Sequence, residues 1–166
     1  MVKLRKSKVP DAVRSRLDLR EGERILAWAD DGHGRLVVAS ETALHLQRTP
    51  PDYTRFGWEQ IEHASYDSGV MTIELGPELG SASLRVPVGT GRELPVAIRD
   101  RITASVVVDR FIPLVDDRGV RIIGRRSTGG DVTWRLDVDP SIADQESVAS
   151  QAQRLLEEVK SEVTGA

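Results

Sequence analysis

The sequence predicts an α+β protein: a small antiparallel β-barrel or sandwich closed by a helix, then a β-hairpin and a C-terminal amphipathic helix. Three observations predict it. Short alternating segments separated by Gly, Asp and Pro turn signals recur through 23–88, the spacing of antiparallel sheets. The apolar period lengthens to that of a helix at 93–104. It does so again near the C-terminus, after further alternating segments.

Each element has its own reason. Val9, Val13 and Leu17 recur at every fourth residue around Pro10-Asp11, which predicts a short amphipathic helix near 11–18. It is too short to stand alone in water, so docking on its own domain is expected. Strands are predicted at 23–29, 35–39, 42–47, 54–58, 61–66, 70–75 and 83–88. Asp30-Asp-Gly-His-Gly34 and Asp67-Ser-Gly69 supply turns. In 42–47, Leu44 and Leu46 share one face, and Ala43, His45 and Gln47 the other. Pro87 and the break at 49–52 mark expected sheet edges. Leu94, Ile98 and Ile102 line one side of a helix near 93–104. Strands follow at 106–114, 120–126 and 132–138, with a hairpin turn at 116–119. Val148, Ala152, Leu155, Val159 and Val163 then form one stripe of a final helix, which Gly165 ends.

The 166 residues are 39% hydrophobic and 30% charged, the composition of a soluble globular chain. Cysteine is absent, which excludes disulfides, thiolate metal sites and thiol catalysis. No apolar run approaches the roughly 20 residues of a membrane span. No apolar stretch follows the basic N-terminus, so a cytoplasmic location is expected. The net charge is −3, but residues 1–20 carry seven cations and two anions, while 139–166 hold six acids and two cations.

The organisation expected is a basic arm at 1–20, a barrel with its capping helix at 21–105, and a strand pair plus helix at 106–166 packed on the barrel as one unit. Seven short strands closed by a helix is the element order of the pleckstrin-homology superfold. Gly22-Glu23-Arg24-Ile25-Leu26, Gly34-Arg35-Leu36-Val37-Val38, Thr42-Ala43-Leu44-His45-Leu46 and Trp58-Glu59-Gln60-Ile61 resemble its bacterial and GRAM-like branches over about residues 20–105. Most of the chain also resembles a small uncharacterised actinobacterial family. The resemblance implies a fold and no ligand. The first hairpin holds Asp30, Asp31 and His33 where a phosphoinositide-binding domain carries its cations.

Chemistry-bearing motifs are sparse. There is no nucleophile elbow, phosphate loop or dinucleotide fingerprint, and no catalytic, metal or cofactor residue is expected. His33, His45 and His63 read as polar turn and strand positions. Asp30, Asp31 and His33 form the only metal-like cluster, a remote metal-enzyme alternative. Lys3, Arg5, Lys6, Lys8, Arg14, Arg16, Arg121, Arg125, Arg126 and Arg135 form a candidate basic surface, which Arg99, Arg101 and Arg110 could extend. Gly89, Gly91 and Arg92, before a helix, form a candidate anion loop. The expected function is a non-enzymatic binding or scaffolding module with a protein partner, acting through loops, sheet edges or helix. The alternative is electrostatic binding of a membrane surface, nucleic acid or ribosome through the basic arm. Self-association through sheet edges is a further possibility.

Overall fold

Turn chemistry decides where the alternating segments reverse. The structure is a computed structural model that describes residues 8–49 and 51–165. It is α+β, with three antiparallel sheets and three α-helices among the described residues. The chain divides into two units, Met1–Ala104 and Ser105–Ala166, each described by itself.

In the first unit, α1 (Asp11–Arg14) precedes β1 (Ile25–Asp30), β2 (Leu36–Ser40), β3 (Ala43–Thr49) and β4 (Asp52–Gly57), which pair in that order as a four-stranded meander. A 3-10 turn at Trp58–Gln60 leads to β5 (Ile61–Asp67), β6 (Val70–Leu75) and β7 (Ser83–Pro87), a second meander. Then α2 spans Glu93–Ser105. The β5–β6 reversal uses Ser68 at φ 50° and Gly69 at φ 84°, the paired positive φ values of a hairpin turn matched to strand twist.

One core collects Val37, Leu44 and Phe56 from the first sheet, Ile61, Met71 and Ile73 from the second, and Leu94, Ile98 and Ile102 from α2. The expected barrel is not closed: the two sheets share no ladder among the described residues. A 3-10 turn stands between β4 and β5, and β7 ends at Pro87, which has no N–H to extend a ladder.

The segment after Lys8 docks on its own unit. Val9 and Leu17, with Val13 and Leu19 beside them, cover Leu36 and Val38 on the outer face of the first sheet. All five residues of β2 are therefore buried, with Val37 and Ala39 facing the core on the other side. The helix covers 11–14, not 11–18. Turn bonds from the Arg16 N–H to the Val13 carbonyl and from the Leu17 N–H to the Arg14 carbonyl tighten the chain there, bringing Leu17 onto the sheet.

In the second unit, β8 (Val106–Val115), β9 (Arg118–Arg126) and β10 (Val132–Val138) form a meander with β9 central, and α3 (Glu146–Thr164) follows. Val120 and Ile122 pack with Ala152, Leu156 and Val159 of α3, flanked by Trp134, Leu136 and Val138. The expected stripe is corrected at one step: Leu156 is buried where Leu155 was expected, and Leu155 lies at the margin.

Candidate functional site

The first unit carries a cleft of about 280 Å³ between β7 and the adjoining ends of β2 and β3. Its apolar walls are Leu36, Val37, Leu46, Leu84 and Val86, and its polar lining is Asp31, Arg35, Gln47, Arg48, Ser83 and Arg85. β7 builds one wall because it is the end strand of its sheet. Alternation turns Leu84 and Val86 towards the core and leaves Ser83, Arg85 and Pro87 exposed.

The cleft's cations differ in commitment. Arg35 donates from Nε to Asp31 Oδ2 at 2.6 Å. Asp31 is buried, and its Oδ1 also accepts the backbone N–H groups of His33 and Arg35. Burial alone raises the Asp31 pKa; these bonds and the Arg35 charge outweigh it and hold the carboxyl below its usual value. Arg48 and Arg85 are exposed. Among the described residues neither has a hydrogen-bond or ion-pair partner.

Asp30 and Asp31 serve the turn. Asp30 Oδ1 accepts N–H bonds from Gly32 and Gly34, and Asp31 receives those just described. No group of three His, Cys, Asp or Glu side chains stands together as a metal-ligand set among the described residues.

A buried polar network lies behind the first hairpins. Glu23 Oε1 accepts the Thr42 hydroxyl at 2.6 Å and the Thr42 N–H at 3.1 Å, and Oε2 accepts the Arg20 N–H at 2.8 Å. Arg55 donates to the Thr42 hydroxyl at 2.9 Å. Burial pushes the Glu23 pKa up, but bonds from Ser40, Thr42 and the Arg20 and Thr42 backbone overcome it and bring it to about 2. Ser40 Oγ lies 3.1 Å from His45 Nε2. Both residues are fully buried, so this serine–histidine contact has no approach for a substrate. Burial lowers the His45 pKa and keeps the ring neutral in the fold.

The candidate basic surface is scattered. Lys3, Arg5 and Lys6 lie outside the described residues. Lys8, Arg14 and Arg16 are exposed in the first unit. In the second unit, strand register sets Arg121, Arg125 and Arg135 on one sheet face, and Arg126 on the opposite face. On the three-arginine face, Arg121 grips Asp109 through two bonds of 2.6 Å, and Arg135 binds Asp137 at 2.6 Å. Arg125 donates to Ser105, and burial lowers its pKa. Phe111, 55% exposed, sits opposite Arg121. A cation–aromatic pair of this kind can stack a base, but two of the face's three cations are already neutralised by carboxylates.

At the candidate anion loop, Gly89, Gly91 and Arg92 are exposed. The Gly89 carbonyl accepts the Tyr66 hydroxyl at 3.0 Å. α2 begins with Glu93, a negative charge in the first turn that already complements the helix N-terminus and disfavours a second anion there.

Sequence reasoning placed an edge at Pro87 but missed the cleft. Arg48 and Arg85 belong to strands of different sheets, and no spacing in the chain joins them. Compared with known proteins, the chain matches no family model and no curated sequence. No helix among the described residues is long and apolar enough to cross a membrane.

Proposed function

We propose that this chain is a non-enzymatic protein-interaction module of the cytoplasm, and that the cleft beside β7 is its binding site. The carrying observation is the combination found there: a free sheet edge, apolar walls, and two exposed guanidinium groups without partners. Pockets of this kind pair apolar contact area with a few charged groups that set specificity. The first unit is read as a pleckstrin-homology-like, GRAM-like domain. Support comes from its order of four strands, three strands and a helix around one core.

The test is affinity capture from nuclease-treated native lysate with the full chain, at low and moderate salt. The double variant Arg48→Glu/Arg85→Glu runs in parallel. The expected result is a stoichiometric protein that survives moderate salt on the parent chain and is lost from the variant. Capture that is equal on both chains rejects the cleft as the site. Retained material that disappears with nuclease or salt rejects the protein-partner reading in favour of the basic arm.

A further inference from the structure

The occupant's chemistry can be read from the cleft, on the premise that the cleft is the binding site. We infer that it takes an extended peptide segment of a partner protein, in which acidic residues alternate with apolar ones, added as a strand on the free edge of β7.

Backbone geometry supplies the first part. β7 pairs with β6 on one side only, so the other row of its N–H and C=O groups is open to a ladder with an incoming strand. Pro87 has no N–H and closes that ladder at one end. The added strand is therefore short, about four residues along Ser83–Val86.

Alternation supplies the second part. Side chains of an added strand keep the facing of their neighbours on β7. One set falls beside Leu84 and Val86, against Val37 and Leu46, where apolar side chains are favoured. The other falls beside Arg85 on the exposed row. Arg48, at the end of β3, brings a second unpaired cation to the same cleft. Two unneutralised guanidinium groups favour carboxylates on that row.

Other occupants fit less well. A second copy pairing edge to edge about the middle of β7 would set Arg85 against Arg85, and like charges directly opposite are destabilising. Among the described residues no aromatic side chain lines the cleft, so bases of a nucleic acid have none to stack on there.

The experiment is selection of a random peptide library displayed on phage against the full chain. Selected peptides are then synthesised and titrated against the parent and Arg48→Glu/Arg85→Glu. The expected result is a consensus with acidic residues at every second position around an apolar one, and affinity at least about tenfold lower for the variant. Replacing the peptide's acids with lysine should restore binding to the charge-reversed variant. A consensus without alternating acids, equal binding to both chains, or no selected peptide overturns the inference. If the lysate partner is still captured only by the parent chain, the interaction reading stands while the peptide chemistry falls. Loss of cleft dependence in both experiments removes both.

Discussion

Replacing Glu23 with alanine is expected to cost the first unit about 2–4 kcal/mol, because it strands the buried donors of Thr42 and the part-buried Arg20 N–H. The Arg20 N–H, the Thr42 N–H and the Thr42 hydroxyl all end on its two oxygens. Those bonds tie the turn before β1 to the turn between β2 and β3. The ordinary glutamate value is 4.5, and the folded value is about 2. The contribution is thus complete above 4.5 and is lost as pH falls from there towards 2, since the unfolded chain takes the proton first. His45 acts in the same direction at higher pH. Burial lowers its folded pKa from 6.5, so stability declines as pH drops below 6.5. Denaturant unfolding between pH 7 and pH 2.5 checks both the size and the slope. The parent should lose stability on acidification through the Glu23 range, and Glu23→Gln should show a flatter profile there. A Glu23→Ala variant within about 0.5 kcal/mol of the parent would contradict the network's role.

Gly119→Ala should damage the second unit as severely. A Cβ at this position would collide with the Ile112 carbonyl oxygen and come within 2.8 Å of Pro113 Cα. Both obstacles are backbone of the facing strand, so no side chain can swing aside. Gly119 also pairs with Pro113 in the ladder and accepts the Asp139 N–H at 3.0 Å. Relief would require β8 and β9 to part at their hairpin, at a cost of at least about 3 kcal/mol. The control is Gly91→Ala, where the new Cβ meets nothing within 4 Å and the effect should stay within about 0.5 kcal/mol. Amide hydrogen exchange gives the readout: protection along β8–β10 should collapse in Gly119→Ala and persist in Gly91→Ala. Unchanged protection in Gly119→Ala would show that the hairpin accommodates the methyl group.

What could be read from the chain was whatever local periodicity and turn chemistry control. Asp67-Ser-Gly69 and Asp116-Asp-Arg-Gly119 announced their reversals, although Arg118 and Gly119 already belong to β9, and the stripe of α3 was visible almost to the residue. Side-chain parity was legible too: along 121–126 it already separates Arg126 from Arg121 and Arg125, which the sequence reading had grouped. His45 was not legible. Its face of β3 looks polar in isolation, yet it pairs with Val38 on the side that the N-terminal segment covers. Glu23 stood inside a recognisable strand opening, but its bonds to Thr42 span 19 residues. Pro87 announced an edge, but the cleft beside it joins Arg85 of β7 to Arg48 of β3, a tertiary outcome that no local pattern specifies.

Hydrogen exchange of the full chain with and without its captured partner shows whether binding happens at the β7 edge. Strand addition places new hydrogen bonds on edge amides that are otherwise open to water. Exchange should slow at Ser83 and Arg85, whose amides share the open row with Pro87, and at the Arg48 end of β3 when the partner is bound. Protection confined to α3 or to the N-terminal segment, with β7 unchanged, would assign the interaction to another surface and exclude strand addition at β7.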